Sequence, residues 1–394
     1  MVELKYDPYD VMINADPYPA WRRLRDEAPL YFDEQHGFYA LSRHEDVERA
    51  LVSWETFSSA KGAILELIQA GVEFPPGILL FEDPPIHTLH RGLLSRVFTP
   101  KKMNALEPQI RALCAQSLDP LVGASGFDFI ADLGAQMPMK VIGMLLGIPE
   151  QDQAAVRDQA DRNLRVKEGE KMQFEAKLDI GGDSFAEYIE WRSKHPSDDL
   201  MTELLTAEFE DETGSLRCLT REEVLTYVAV VAGAGNETTT RLIGWAGKVL
   251  SDHPGERRLL AEDPSLIPNA IEELLRYEPP APHVARYVAK DVELHGQTVP
   301  EGSVMLMLMG SGNRDDRKFA DGDRFDARRV VKGHLSFGFG LHFCLGAALA
   351  RLEGRVALEE VLRRFPDWTA DLDRARLSPT STVRGWETMP VSVP

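Results

Sequence analysis

The sequence predicts a mainly α fold with a small β portion. Helical patterns of apolar residues dominate from position 101 to position 278. Within them, a capping box at Thr220–Glu223 opens a helix that should continue to about Leu250, which is roughly 45 Å at 1.5 Å per residue. Strand-like alternation returns in two later segments, Val292–Val299 and Val304–Met309. No internal repeat or low-complexity linker divides the chain, so we expect one domain over residues 1–394.

Shorter elements are predicted before and between these segments. Trp21–Arg25 has the pattern of a first helix and Phe38–Leu41 that of a strand. Ser42 and Glu45 have the spacing of a capping box, which should open a helix to Leu51. Residues 62–86 should form a loop with one short helix, and residues 165–182 a charged connection between two helices. The methionine-rich run Met305–Met309 is typical of a buried strand, because methionine fills cores adaptably.

Composition excludes several classes of protein. Hydrophobic residues make up 43% and charged residues 27% of the 394 positions, and the net charge of −19 argues against a nucleic-acid or anionic-membrane surface. The three cysteines (Cys114, Cys218 and Cys344) are far apart, so we expect no disulfide framework and a reducing cytoplasm. The first residues lack a basic and then apolar leader pattern, and the apolar stretch Val224–Asn236 is shorter than a bilayer requires. A membrane anchor is therefore not expected.

A glycine-flanked cysteine lies in the segment Phe337–Gly346. The run after it places Leu345, Leu349, Leu352 and Val356 on one helical face, so Cys344 should lie at the amino end of a helix. There the helix dipole favours a thiolate, and glycines let the backbone lie close to a flat ligand. Such a thiolate can serve as the fifth ligand of haem iron. The alternative is a buried structural cysteine in a glycine-rich turn.

The predicted long helix contains an unusual segment, Ala232–Thr240. Two glycines and three threonines in a buried helix contradict helix propensity, since each glycine costs about 1 kcal/mol relative to alanine. Such local conflicts often mark functional sites. The alternative is close helix packing at Gly233 and Gly235, with threonine hydroxyls bonded to backbone carbonyls.

Both segments resemble motifs of the cytochrome P450 family, in particular its soluble bacterial-type members. Phe337–Gly346 resembles the haem-binding loop, and Ala234–Thr239 resembles the oxygen-activation motif. The resemblance implies a P450-like domain with the long central helix over a non-covalent haem b, and Cys344 as axial thiolate. It also implies that Thr238 is the alcohol and Glu237 the acid that deliver protons for O–O cleavage.

The resemblance implies further haem contacts and a supporting ion pair. His87, Arg91, Arg286 and His342 match residues that bind the haem propionates, whereas His90, one residue off the His87–Arg91 face, should be a surface histidine. Glu273 and Arg276 match the family's Glu-x-x-Arg pair, with Arg328 as third member. Asp316 replaces a proline that is common in the family after Asn-Arg-Asp. We expect this triad to hold the cysteine loop in place.

The substrate and partners are implied less specifically. The pocket should be apolar and suit a steroid, terpenoid, fatty acid or aromatic compound; its expected lining is Ile78, Leu79, Ala234, Gly235, Val284 and Trp386. The chain has no flavin or iron–sulfur motif, so O2-dependent oxidation would need electrons from a separate ferredoxin and ferredoxin reductase. Cations near the haem-contacting segments could form a docking patch for an acidic ferredoxin; they are Arg91, Arg96, Lys101, Lys102, Arg351 and Arg355.

The leading interpretation is a monomeric cytoplasmic monooxygenase. A peroxide-driven peroxygenase is a second possibility, but peroxide use bypasses the proton relay that Glu237 and Thr238 suggest. A non-catalytic binding or recruitment module should lack the thiolate or the acid–alcohol pair. A helical carrier of hydrophobic ligands would be colourless when purified.

Overall fold

The longest element is a central helix, Arg221–Asp252. In this computed structural model, which describes residues 4–74, 77–153, 169–171, 183–211, 213–380 and 382–394, the predicted capping box is present. Thr220 Oγ1 accepts from the Glu223 N–H at 3.2 Å, and Glu223 Oε2 accepts from the Thr220 N–H at 2.7 Å. Most residues between Val224 and Leu250 are buried, so the helix passes through the core.

The other helices surround this one. In the described residues they are Val11–Ala15, Tyr18–Glu27, His44–Val52, Leu65–Ala70, Ile86–Ser95, Pro100–Asn104, Glu107–Leu118, Met137–Leu146, Asp183–Lys194, Leu200–Thr206, Pro254–Glu262, Ile267–Tyr277, Met309–Gly312 and Ala347–Arg364. Short 3-10 turns occur at Leu79–Phe81, Asp119–Leu121, Pro264–Leu266 and Gly340–His342, and a π-helical turn at Phe129–Gly134. The short helix and turn between Leu65 and Phe81 agree with the predicted loop.

The β portion is small and divided. The main sheet has five strands in the spatial order Leu30–Asp33, Phe38–Leu41, Val304–Met307, Val284–Val288 and Phe57–Ser58. Its one parallel pairing joins Val304–Met307 to Phe38–Leu41, with Met305 opposite Tyr39. Smaller sheets are formed by Thr369–Ala370, Pro390–Ser392 and Gly126–Asp128; by Arg376–Leu377 and Trp386–Thr388; by Glu208–Glu210 and Leu216–Cys218; and by Val292–Leu294 and Gln297–Val299.

Two local predictions need correction. The segment Val292–Val299 is a hairpin, because His295 and Gly296 turn the chain with φ of 50° and 74°. The helix after Phe38–Leu41 begins at His44, and its first N–H groups receive no cap from Ser42. Instead Asp315 accepts the His44 N–H at 3.1 Å. A carboxylate from a distant segment has replaced the predicted local cap.

One described stretch, Phe129–Leu146, is long and apolar enough to cross a membrane by length and composition, but 61% of it is buried in the fold. Burial of this kind is also typical of a core helix. The predicted connection at 165–182 falls outside the described residues except for 169–171.

Candidate active site

The cysteine loop, Phe337–Gly346, leads directly into the helix Ala347–Arg364, and two residues separate Cys344 from that helix. The Cys344 N–H donates to the Phe337 carbonyl at 2.7 Å, which closes the loop on itself. Gly338 and Gly340 have φ of 68° and 67°, a left-handed conformation that strongly favours glycine. At Gly340 a Cβ would also lie 3.0 Å from Val52. Both glycines are therefore required by the loop's shape.

The surroundings of Cys344 differ from the expectation in one respect. Part of the Cys344 surface is accessible to solvent. Protein atoms enclose the rest, and this burial raises the pKa of the thiol. The Gly346 N–H and the guanidinium groups of Arg91 and Arg351 act in the opposite direction without reversing it. The helix end alone therefore does not produce a thiolate, whereas coordination to a metal would do so.

Buried nitrogen donors gather beside this loop. His87 is 1% exposed, and neither of its ring nitrogens has a hydrogen-bond partner among the described residues. Its ring lies 4.4 Å from that of His342, whose Nε2 also has no partner in the described part of the chain. Burial, Arg286 and His87 lower the pKa of His342 to about 3. These rings are therefore neutral hydrogen-bonding groups at physiological pH.

Two arginines complete this group. Arg286 is 5% exposed, and burial lowers its pKa to about 10. Arg91 Nη2 donates to the Phe343 carbonyl at 2.5 Å, and burial lowers its pKa as well. Buried donors of this kind require acceptors. The two carboxylates of a haem fit the set, and the accessible Cys344 sulfur beside it fits the iron.

The central helix is accessible along one strip of its otherwise buried surface. Ala234 is exposed and its neighbours Gly233 and Gly235 are partly exposed, while Thr238 is partly exposed between buried Glu237 and Thr239. A Cβ at Gly233 would meet nothing within 4 Å. Thr238 Oγ1 donates to the Ala234 carbonyl at 3.1 Å. The helix therefore borders open space at the predicted alcohol.

Gly235 lies elsewhere. A Cβ there would come within 2.4 Å of Ile142 Cδ1, on the helix Met137–Leu146. This glycine permits close helix packing, as the alternative interpretation held, and does not line the open strip. The expectation that it belongs to the pocket is corrected accordingly.

Glu237 is buried and paired with a residue that the motif did not identify. Arg241 Nη2 lies 2.5 Å from Glu237 Oε1, and the two residues are four apart on the helix. The same guanidinium contacts Ser378 and the Trp386 carbonyl. Glutamate and arginine at this spacing indicate an ion pair, but no local pattern indicates the contacts of Arg241 with Ser378 and Trp386.

The supporting triad contains Arg329 instead of Arg328. Glu273 and Arg276 are 0% exposed and bonded at 2.6 Å and 2.8 Å. Arg329 Nε lies 3.1 Å from Glu273 Oε1, whereas Arg328 is exposed. Asn269 binds the carbonyls of Ala327 and Arg329, which fixes the register of this segment. The prediction of Arg328 was wrong by one residue.

The remaining expected pocket residues have mixed positions. Ile78 and Leu79 are 2% and 6% exposed, while Val284 and Trp386 are half-buried. The Trp386 ring packs edge-on against Trp245 with centroids 5.4 Å apart. His90 was expected at the surface but is 2% exposed and bonded to Glu82 at 2.8 Å. That prediction was also wrong.

The expected docking patch is largely neutralised within the protein. Lys102 pairs with Glu203, Arg351 with Glu272, and Arg355 with Glu107 and Glu359. Arg91 is directed inward to the cysteine loop. In the described part of the chain, Arg96 and Lys101 are the exposed members of the set without an ion pair.

Comparisons with known proteins identify the family of this chain. The family model "Cytochrome P450" matches residues 165–376. A putative cytochrome P450 123 of Mycobacterium tuberculosis is 39% identical over 99% of this chain and 97% of its own length. Cytochrome P450 130 of the same organism is 36% identical over 96% of this chain and 94% of its own.

Solved structures give the same result. A mutant of P450 EryK in complex with erythromycin B has a TM-score of 0.86 and 32% identity, and covers 97% of both chains. CYP109E1 from Bacillus megaterium, in complex with testosterone, has a TM-score of 0.87 and 28% identity, and covers 98% of this chain and 99% of its own. The family model matches more than half of the chain, and relatives at 36–39% identity match nearly its whole length, so the chain belongs to the cytochrome P450 family.

Proposed function

We propose that this cytochrome P450, a single-domain, monomeric and cytoplasmic protein, inserts one atom of O2 into a lipophilic small molecule. Family membership makes it a haem-dependent monooxygenase. The observation that carries the proposal is the pairing of two features. Accessible Cys344 lies beside ring nitrogens of His87 and His342 that have no hydrogen-bond partner among the described residues, and the central helix opens at Ala234 and Thr238.

We assign the haem contacts as follows. Cys344 Sγ would ligate the iron of haem b, and the propionates would take hydrogen bonds from His87, Arg91, Arg286 and His342. When bound, haem supplies the redox chemistry that splits O2, and a thiolate ligand favours O–O cleavage. Loop closure through the Cys344 N–H and Phe337 carbonyl holds the sulfur in place.

The residues of the central helix would handle protons. In the structure the Thr238 hydroxyl donates its proton to the Ala234 carbonyl. Rotation about the Cβ–Oγ1 bond would direct the same proton toward the open strip. Glu237 is the adjacent carboxylate, buried in the same helix. A positioned acid of this kind contributes about 10²–10⁴ in rate. We assign Glu237 as a proton donor that is resupplied with protons from solvent, and Thr238 as the hydroxyl that passes each proton on.

We assign the substrate to a broad class of lipophilic small molecules, which includes steroids, terpenoids, fatty acids and aromatic compounds. Gly233 has no side chain and Ala234 has only a methyl group, so both leave room beside the open strip. Val284, which is half-buried, is a further apolar residue of the expected pocket. Structures similar to this chain include one in complex with erythromycin B and one in complex with testosterone, and these two different ligands support keeping the substrate class broad.

Electrons would come from a ferredoxin served by a ferredoxin reductase. Because most of the expected patch is paired internally, we assign docking to Arg96 and Lys101. The double variant Arg96→Glu/Lys101→Glu should slow electron transfer from an acidic ferredoxin and weaken its salt dependence. Lys290→Glu, at another exposed lysine, is the matched control. Equal rates in both variants would overturn this assignment.

The decisive experiment is the reduced carbon-monoxide spectrum of the purified protein. We expect the strongly red-shifted Soret band that thiolate ligation produces, and its loss in Cys344→Ser. A colourless protein would refute haem binding and favour a ligand carrier. Product formation from peroxide as fast as from ferredoxin would favour the peroxygenase alternative. Titration with one compound of each class should then shift the Soret band for the class that binds.

A further inference from the structure

Arg241 joins the central helix to a distant turn. Arg241 is 6% exposed and lies within the core. Nη2 contacts Glu237 Oε1 at 2.5 Å and Ser378 Oγ at 2.9 Å, and Nη1 donates to the Trp386 carbonyl. One guanidinium therefore holds the acid and two points of the segment Ser378–Trp386. We call this segment the terminal turn.

The terminal turn is built to receive this arginine. The Ser378 N–H donates to the Gly385 carbonyl at 2.8 Å, which closes the turn. A Cβ at Gly385 would lie 2.7 Å from Arg241 Cβ, so any larger residue would displace the turn from the helix. The fit between Gly385 and Arg241 makes the turn and the helix one packed unit.

The arrangement limits where the acid can point. A planar guanidinium that is already bound to Ser378 and Trp386 cannot move freely, so Glu237 Oε1 is fixed relative to the terminal turn. Thr238 follows Glu237 directly and faces the open strip. The position of the terminal turn therefore determines the position of the carboxylate next to that hydroxyl.

We propose that Arg241 is a positioning residue that sets the orientation of the Glu237 carboxylate and couples it to the terminal turn. The inference rests on the proposed function, in which Glu237 supplies protons. If Trp386 lines the substrate pocket as expected from the sequence, a ligand in contact with it would change the orientation of the Glu237 carboxylate through Arg241. Substrate contact and proton supply are in this way linked by one side chain.

The test compares Arg241→Lys with a matched control in the holoenzyme. Lysine keeps the charge but cannot hold Glu237 and both turn atoms at once. Arg257→Lys is the control, because Arg257 is also buried and binds the Trp368 carbonyl, without touching Glu237. The first readout is amide hydrogen exchange of residues 376–388, which does not depend on turnover. We expect faster exchange there in Arg241→Lys and unchanged exchange in Arg257→Lys.

The second readout is product formed per reduced cofactor consumed, in a double-mutant cycle with Glu237→Gln. Residues in contact couple by at least about twofold. We therefore expect Arg241→Lys to lower the yield in the wild-type background and to change it little when Glu237 is already glutamine.

The inference about Arg241 would be overturned if the yield losses of Arg241→Lys and Glu237→Gln multiplied in the double variant. Unchanged hydrogen exchange in the terminal turn of Arg241→Lys would also overturn it. An unchanged yield in Glu237→Gln alone would instead overturn the proton-donor role, and that result is distinct from the other two.

Discussion

The Glu273 triad gives a sharp test, because adjacent arginines differ in their surroundings. Arg329 lies 3.1 Å from the fully buried Glu273 and donates to the carbonyls of Ala320, Asp321 and Arg324 at 2.7–3.1 Å. Breaking a buried ion pair costs about 3–5 kcal/mol. Glu273 keeps Arg276 as a partner, so we expect Arg329→Ala to cost about 3 kcal/mol, at the lower end of that range.

Arg328→Ala is the matched control. The Arg328 side chain is exposed, and its removal should change the free energy of unfolding by no more than about 0.5 kcal/mol. For a chain of this length, about 3 kcal/mol corresponds to roughly 4 °C in Tm. Thermal unfolding followed by circular dichroism, at equal haem content, measures both variants. A larger loss in Arg328→Ala than in Arg329→Ala would refute the assignment of the triad.

Three further predictions concern the site and its supports. Thr238→Ala should leave the consumption of reduced cofactor largely intact, while more of the electrons form peroxide and fewer form product. Product and peroxide per electron are measured, and an unchanged product yield would contradict the role of this hydroxyl. Arg286→Gln should speed haem loss to an acceptor protein by at least about tenfold, because a charged hydrogen bond is lost; an unchanged rate would place the propionates elsewhere. Burial raises the pKa of Glu353 well above 4.5, so the folded state binds a proton that the unfolded state releases above that pH. Stability should then fall by up to about 1.4 kcal/mol per pH unit above pH 4.5, and Glu353→Gln should remove that slope; identical profiles of Tm between pH 5 and pH 8 would contradict this reasoning.

Local patterns predicted the elements that depend on neighbouring residues. The capping box at Thr220 determines where the central helix starts, and both of its hydrogen bonds join residues three apart. The strand Phe38–Leu41 was predicted with its observed bounds. Met305–Met309 is buried, as the apolar run indicated, although the strand ends at Met307 and Met309 begins a short helix. In each case the physical cause lies within a few residues of the element it governs.

Long-range contacts account for the errors. Ser42 has the spacing of a cap, but Asp315 is the residue that accepts the His44 N–H. His90 was assigned to the surface from helix geometry, whereas Glu82 provides a buried partner for it. The choice between Arg328 and Arg329 depends on Asn269, which binds two carbonyls of that segment. None of these partners is visible in a local pattern.

Buried arginines in this chain mainly serve to bind backbone carbonyls of distant segments. Arg276 binds those of Asn313 and Gly322, Arg384 those of Asn14 and Ala15, and Arg257 that of Trp368. The backbone carbonyls of an irregular segment have no neighbouring strand to bond with. The N–H groups of one guanidinium can donate hydrogen bonds to several of these carbonyls at once. Arg241 follows this rule at Trp386 but also holds Glu237. The proposed role of Arg241 therefore differs from that of the other arginines only because Glu237 lies four residues before it on the same helix.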